Sequence, residues 1–155
     1  MGYLTLITFI PLVGAAIITF LPKEKLGLIK QVSVAATGIT LLLTILMLFQ
    51  FNTNMTGIND EASFQFVEHT TWIEVFNIDY FMGVDGLSFP MVPLTALLCF
   101  LGVFASWKID RAQKGYFALY LLLETGMIGT FVSLDFFLFY IFWEVMLLPM
   151  YFLIG

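Results

Sequence analysis

One stretch near the end of the sequence constrains the fold more than any other. Residues 135–155 read DFFLFYIFWEVMLLPMYFLIG, an apolar run of bilayer-spanning length with one carboxylate, Glu144, at its middle. A charged side chain near the bilayer centre costs at least about 2.5–3.5 kcal/mol on insertion scales. Such a residue is tolerated only where a partner, a water-filled cavity or a bound proton offsets that cost, so Glu144 is predicted to be functional.

The composition assigns this run to a membrane protein. The chain has 155 residues, of which 61% are hydrophobic and only 11% are charged, and a soluble domain of this size needs far less apolar material. The expected fold is an all-α integral membrane protein, a single membrane domain with five transmembrane helices. The predicted spans cover approximately residues 3–21, 29–51, 85–107, 116–133 and 135–155.

The polar segment between spans 2 and 3, residues 52–83, contains no Lys or Arg. From Ser63 to Tyr80 the sequence pattern is strand-like, which predicts a short β-hairpin outside the membrane. The alternating positions are Phe64 and Phe66, and further along Trp72, Glu74, Phe76, Ile78 and Tyr80. His69 is expected to be an exposed or locally bonded histidine, because neither a second histidine nor a cysteine accompanies it in this segment. No metal site is therefore expected.

Local signals predict how the later spans begin and pack. Asp85 is positioned to cap span 3, and a kink is expected at Pro93. Asp135 is expected to cap span 5, with a role as proton exit as the alternative. Cys99, the only cysteine, is interpreted as a small buried hydrophobe. In span 4, small residues suited to close helix contact recur at i, i+4 and i+8: Thr125, Gly129, Ser133.

The basic residues predict the topology. All six Lys and Arg residues fall in two short segments, 23–30 and 108–114, which follow spans 1 and 3. Two spans separate these segments, so both lie on one side of the membrane, and the positive-inside rule makes that side cytoplasmic. The N-terminus and the hairpin are then expected outside.

Two carboxylates are predicted to share the middle of the membrane. Span 4 centres near residue 124 and span 5 near residue 145, which gives Glu124 and Glu144 nearly the same depth. Desolvation and like-charge repulsion oppose their simultaneous ionisation, so at least one is expected to be protonated at neutral pH unless a cation is near. Glu144 is predicted to carry proton transfer and Glu124 to be a possible proton relay. For each, the alternative is a neutral glutamate that bonds neighbouring helices.

The segment after Glu144 adds a second membrane signal. Pro149 follows five residues later and is expected to remove one helical hydrogen bond, leaving a carbonyl near Val145 free. Bent or broken helices beside a mid-membrane charge are a recurring feature of transporters.

Two stretches carry a family resemblance. Residues 83–98, GVDGLSFPMVPLTALL, and residues 121–155, LLLETGMIGTFVSLDFFLFYIFWEVMLLPMYFLIG, closely resemble chain M of bacterial NADH–quinone oxidoreductase, respiratory complex I. The resemblance extends from the first residue to the last, and the part from FWE to PMYFLIG is the most specific. Other antiporter-like chains of the complex and Mrp-type antiporter subunits share a glutamate here but fit the flanking residues less well.

The resemblance implies a proton-translocating membrane-arm subunit, located in the bacterial inner membrane and forming the start of an inverted-repeat, antiporter-like fold. It implies that the glutamate matching Glu144 pairs with a lysine on a later helix, whereas the position of Glu124 varies in the family. The implied partners are neighbouring antiporter-like chains, lipid and protons, and not nucleic acid. NADH, FMN, iron–sulfur clusters and quinone are assigned to partner chains, so no cofactor or redox active site is expected here.

Family chains are far longer than this sequence, so the chain is expected to be an N-terminal fragment. Two other functions stay open at this point. The chain can belong to a multi-chain Mrp-type sodium/proton antiporter, which gene neighbours or a continuing sequence would reveal. It can also be a non-transporting scaffold in which Glu144 only bonds neighbouring helices, which activity and assembly measurements on Glu144 variants would reveal.

Overall fold

The computed structural model describes residues 3–22, 24–50, 65–84, 88–107 and 113–154. These residues form five α-helices and one antiparallel hairpin. In chain order the elements are α1 (Tyr3–Phe20), α2 (Leu26–Gln50), β1 (Gln65–Ile73), β2 (Ile78–Val84), α3 (Met91–Ala105), α4 (Gln113–Val132) and α5 (Phe136–Ile154).

Each predicted span corresponds to one of these helices. Three of the helices are long and apolar enough to cross a bilayer: Gly27–Gln50, Lys114–Val132 and Phe136–Ile154. α1 and α3 are shorter apolar helices, Leu4–Phe20 and Met91–Ala105. A mostly helical membrane fold with a small hairpin is therefore confirmed, while the crossing of the bilayer by all five helices stays a prediction.

Close approaches at glycine hold the helices together. At Gly126, an added Cβ would lie 2.8 Å from the backbone nitrogen of Met146, so α4 and α5 touch backbone to backbone. The ring of Phe142 fills the space beside Gly129, a residue of the predicted small-residue stripe. At Gly14, an added Cβ would lie 2.8 Å from the Cβ of Ala36, so α1 meets α2 equally closely.

The predicted hairpin is present, but its turn interrupts the expected alternation. β1 pairs with β2 in a register that places Thr70 opposite Tyr80. A 3-10 turn at Glu74–Phe76 and a left-handed residue, Asn77 with φ 55°, connect the two strands. The strand-like pattern predicted from Trp72 to Tyr80 is therefore divided by the turn of the hairpin. Asn77 tolerates the left-handed conformation that the turn requires. The chain therefore reverses its direction here, although apolar residues continue on both sides of the turn.

Asp135 joins the hairpin to the turn between α4 and α5. One carboxylate oxygen, Oδ1, accepts hydrogen bonds from the backbone N–H groups of Phe137 (2.9 Å) and Leu138 (3.1 Å), which confirms the predicted cap of α5. The other oxygen accepts a bond from the backbone N–H of Asp79 in β2 at 3.1 Å. The backbone N–H of Leu134 also donates to a β2 carbonyl at 2.8 Å. The hairpin therefore lies at the end of the bundle that holds this turn.

The start of α3 differs from the prediction. The helix begins at Met91 with Pro90 at the capping position, six residues after Asp85, which lies outside the described residues. A residue that precedes proline disfavours helical dihedrals, so the helix cannot extend back through Phe89. Pro93 falls in the first turn, where backbone N–H groups have no partner within the helix, so it removes no hydrogen bond and the reason for a kink disappears.

The described lysines of the two predicted basic segments, Lys30 and Lys114, lie towards the opposite end of the bundle. The ammonium group of Lys30 lies 5.2 Å from the centre of the Trp107 ring, which brings the start of α2 to the end of α3. Lys30 lies within the first turns of α2 and Lys114 within the first turn of α4, so a helix extends into each basic segment. The common end of these two lysines agrees with the predicted topology. The side of the membrane that this end faces stays a prediction.

Candidate proton-transfer site

The carboxyl group of Glu124 is fully enclosed by the bundle. The side chain has 0% exposure, and neither carboxyl oxygen has a hydrogen-bond partner among the described residues. A polar group buried without a hydrogen bond costs several kilocalories per mole, and an ionised group costs far more. Glu124 is therefore stable here only if it carries a proton or contacts water or another hydrogen-bonding partner.

Polar groups of α3 and α4 lie close to Glu124. Tyr120, one helical turn earlier, donates a hydrogen bond from its hydroxyl to the carbonyl of Cys99 at 2.9 Å. The carboxyl group of Glu124 is within electrostatic range of this hydroxyl and of the Cys99 thiol. Cys99 is 4% exposed and forms no disulfide, which confirms it as a small buried residue.

A stripe of buried hydroxyls along α2 lines the same interior. Each hydroxyl donates to a carbonyl one turn back in the helix at 2.7–3.0 Å, and each oxygen keeps lone pairs that can accept another bond. Gly14 of α1 contacts both Ala36 of α2 and Leu121 of α4, so these two residues lie at the same level of the bundle. One helical turn closer to the hairpin, Thr40 on α2 and Glu124 on α4 again lie at about the same level. The residues of the stripe are Ser33, Thr37, Thr40 and Thr44.

Glu144 lies in the opposite environment. The side of α5 that packs on the bundle carries Leu138, Phe142 and Pro149, whereas Glu144 is exposed on the other side. The exposed side is otherwise apolar, with Trp143 at 42% and Leu148 at 57% exposure. The side chain of Glu144 therefore faces away from the helices that enclose Glu124.

The structure does not bring the two glutamates together. Since Gly126 packs on Met146 and the helices are antiparallel, Glu144 is level with residue 128. It therefore lies about one helical turn, roughly 6 Å, nearer the hairpin end than Glu124. The prediction that the two glutamates lie at nearly the same depth therefore holds only to within one helical turn. Their side chains also lie on different sides of the α4–α5 pair. Pro149 is internal to α5, which continues to Ile154.

A second unpaired polar group of α4, the hydroxyl of Thr125, faces an apolar cavity. The cavity has a volume of about 620 Å³ and lies between α1, α4, α5 and the hairpin. Thr125 is 2% exposed, its hydroxyl has no partner among the described residues, and it forms part of the cavity wall. Phe9, Leu122 and Phe142 contribute apolar surface to the same wall. The cavity suits a hydrocarbon chain or helix side chains better than an ion.

The hairpin adds a carboxylate network that the sequence did not reveal. Both oxygens of Glu68 accept bonds from Thr5 near the N-terminus of α1, one from the backbone N–H at 2.9 Å and one from the hydroxyl at 2.6 Å. The hydroxyl of Tyr80 lies 2.8 Å from that of Thr5. A negative charge is favourable at a helix N-terminus, so Glu68 clamps the hairpin onto α1. The only signal in the sequence is an acid at a strand position, which does not identify its partner.

His69 has the local role that was predicted for it. Its Nε2 lies 2.8 Å from a carboxylate oxygen of Asp79 across the hairpin, and its ring centre lies 4.2 Å from that of Phe81. Within the described residues no group of three or more His, Cys, Asp or Glu side chains could hold a metal ion.

Comparison with solved structures defines the class of this fold. The chain resembles a chain of respiratory complex I from Thermus thermophilus with a TM-score of 0.70 and 26% sequence identity, over 94% of this chain and 27% of that one. It also resembles a chain of the membrane-bound sulfane sulfur reductase, an archaeal respiratory membrane complex, with a TM-score of 0.74. That second likeness has 18% identity and covers 96% of this chain and 22% of that one, so it concerns the fold alone. The fold is therefore of the class found in these chains of respiratory membrane complexes.

Sequence comparison identifies the family. The family model of the amino terminus of NADH-ubiquinone oxidoreductase chain 4 matches residues 58–138, and the chain belongs to this family. It is 37% identical to NADH-quinone oxidoreductase subunit M of Rhodobacter capsulatus over 98% of this chain, and 35% identical to chain 4 of Arabidopsis thaliana over 94%. It spans 29% and 28% of the lengths of these relatives. The resemblance found in the sequence is confirmed.

Proposed function

We propose that this chain is part of a proton-translocating membrane-arm subunit of NADH–quinone oxidoreductase. In this function, oxidation of NADH and reduction of quinone in partner chains drive changes of charge around Glu144. Membership of the chain 4 family and the likeness to a respiratory complex I chain support this proposal. Redox chemistry and its cofactors are assigned to the partner chains, and neighbouring antiporter-like subunits are the expected contacts within the membrane.

The position of Glu144 carries the proposal. α5 presents this carboxylate in its middle, on the side that the other described helices leave uncovered. A lone carboxylate against lipid is too costly to persist, so a covering segment must supply a cation or a hydrogen-bond donor. The relatives are more than three times as long as this chain, and the resemblance implies a lysine on one of their later helices. Exchange of a proton between Glu144 and such a lysine is the transfer step that we propose.

Glu124 is assigned as a second proton-binding group. Its burial from all sides supports a role inside the subunit, while Glu144 works at the surface that meets the covering segment. In the proposed orientation the hairpin and the N-terminus of α1 lie outside, and the end that holds Lys30 and Trp107 faces the cytoplasm of a bacterium.

Substitution of Glu144 tests this function in the complete complex. Glu144→Gln keeps the size of the side chain but cannot bind and release the proton, so proton pumping and NADH–quinone turnover should fall sharply while the complex assembles normally. Glu74→Gln is the matched control, because Glu74 is an exposed carboxylate in the turn of the hairpin. Near-normal pumping with Glu144→Gln would reject the mechanism. Loss of assembly with unchanged activity in Glu144→Ala would indicate a scaffold.

A further inference from the structure

The apolar cavity beside Thr125 has about the length of one leaflet of a bilayer. It lies between α1, α4, α5 and the hairpin, and we call it the hairpin cavity. Its volume of about 620 Å³ is within the range of about 300–1,000 Å³ that is usual for sites that bind organic ligands. Leu122, which lines its deep end, lies roughly 15 Å along the axis of α4 from the last residue of that helix, Val132. The hydrocarbon of one leaflet is also about 15 Å thick.

The wall of the hairpin cavity changes from apolar to polar along its length. Apart from Thr125, every lining residue that the helices contribute is apolar. The hairpin contributes the side chains that can form hydrogen bonds, which are Thr70, Thr71, Trp72 and Tyr80. A space of this kind matches a molecule that has a hydrocarbon chain and one polar end.

The polar end of the hairpin cavity lies where the long apolar helices end. Both α4 and α5 are long and apolar enough to cross a membrane, and residues 133–135 connect them at one end. Backbone hydrogen bonds at Asp79 and Leu134 attach the hairpin to this connection. Trp72 is 51% exposed, and its ring centre lies 6.2 Å from that of Phe137 at the start of α5. Since tryptophan concentrates at membrane–water interfaces, this end of the cavity lies at the level of lipid headgroups.

The fixed charge around this polar end is negative. Residues 52–83 contain no Lys or Arg. The carboxylate of Glu68 accepts a bond from the hydroxyl of Thr5, which in turn lies 2.8 Å from the hydroxyl of Tyr80 in the cavity wall. Any positive charge on His69 is offset by its partner, Asp79. The hairpin therefore repels an anionic headgroup and attracts an amine.

We propose that the hairpin cavity binds one acyl chain of a phospholipid whose ethanolamine headgroup lies against the hairpin. Hydrocarbon fits the space because an apolar cavity excludes water and an unfilled one forfeits van der Waals contacts. Every phospholipid supplies such a chain, so the headgroup provides the selectivity. Hydroxyls of Thr70 and Thr71 can donate to the phosphate, and the primary ammonium group is attracted by the charge of Glu68. This inference goes beyond the proposed function, because it assigns a ligand and requires neither Glu124 nor Glu144.

Photo-crosslinking of the complete complex tests this site. The complex is placed in phosphatidylcholine vesicles that contain a trace of phosphatidylethanolamine with a photoreactive diazirine at the end of one acyl chain. After irradiation, mass spectrometry should find the label on the cavity wall, on the peptides that contain Leu122 and Ile141. A phosphatidylglycerol probe with the same acyl chains should label these peptides roughly fivefold less, the upper range for one exposed ion pair. This difference should shrink at high salt, which screens the charges.

Filling the cavity provides a second test. Ile141→Trp places a larger side chain in the wall and should abolish labelling of the α4 peptide, whereas Leu148→Trp, at an exposed position of the same helix, should leave it unchanged. Unchanged labelling in Ile141→Trp would overturn the site. An unlabelled wall in the parental complex would also overturn it and would indicate that a further segment of the chain fills the cavity. Equal labelling by the two probes would overturn the ethanolamine selectivity, and both of these comparisons need no variant.

Discussion

Carboxylates at the hairpin end of the bundle accept hydrogen bonds that hold elements together, whereas the two carboxylates in its middle are the groups proposed to bind protons. At the hairpin end, Glu68, Asp79 and Asp135 all accept bonds at 2.6–3.1 Å and hold elements together. In the middle, Glu124 has no partner among the described residues, and Glu144 faces away from the bundle. A carboxylate that accepts such bonds stabilises the fold, whereas one without partners can take up and release a proton.

The largest effect is expected when the two mid-bundle glutamates are replaced and both proton pumping and thermal stability are measured. Glu124→Gln and Glu144→Gln should each lower coupled proton pumping by about a hundredfold, the lower range for loss of an acid–base group. Their melting temperatures should stay the same or rise, because neither substitution removes a hydrogen bond within the described bundle. Pumping by inverted vesicles and thermal unfolding of the purified complex measure the two effects. A variant that lost stability but kept activity would break the comparison.

Substitution of Glu68 should have the reverse effect. Glu68→Gln removes the charge that binds the backbone N–H and the hydroxyl of Thr5, and bonds to charged groups contribute about 1.5–3 kcal/mol each. The free energy of unfolding should fall by an amount in this range, while pumping per assembled complex stays close to normal. Glu74→Gln is the control, because Glu74 is exposed in the hairpin turn and its loss should have little effect. Equal stability of the two variants would show that the clamp is unimportant.

The contact between α4 and α5 sharpens the comparison because it determines which way Glu144 faces. Gly126→Ala introduces a methyl group 2.8 Å from the backbone nitrogen of Met146 and should cost about 1–3 kcal/mol, the usual range for overpacking. Gly115→Ala is a matched control on the same helix, because nothing lies within 4 Å of an added Cβ there. Chemical denaturation in detergent measures both. A smaller loss for Gly126→Ala than for Gly115→Ala would contradict the close contact.

The smallest expected effect is a dependence on alkaline pH at the hairpin. Burial raises the pKa of Tyr80 above its usual value of 10.0, the bond with Thr5 opposes this shift, and the charge of Glu68 adds to it. The folded chain then keeps this proton to higher pH than the unfolded chain does, so stability falls as the pH rises above 10.0. Tyr80→Phe should remove this slope, as measured by unfolding at several pH values. An unchanged slope would assign it to another group.

Several features of the candidate site were predictable because their signals are local. Glu124 and Glu144 are recognisable as acids in the middle of apolar runs, and Asp135 as a residue at a helix start. The hydroxyl stripe of α2 also has a readable signal, since residues 33, 37, 40 and 44 follow helical spacing. The partner of Glu68 had no such signal, because Thr5 lies 63 positions away and only the folded bundle brings the two together.

The sequence by itself determined that this is a membrane protein with helical spans, an intervening hairpin and two ends of different charge. These properties follow from hydropathy, turn residues and basic residues, each of which acts over a short length of chain. Only the tertiary structure decided that Glu124 is enclosed and Glu144 is exposed. The rotation of a helix about its axis depends on where neighbouring helices approach most closely, and here the glycines at 14, 126 and 129 determine those approaches.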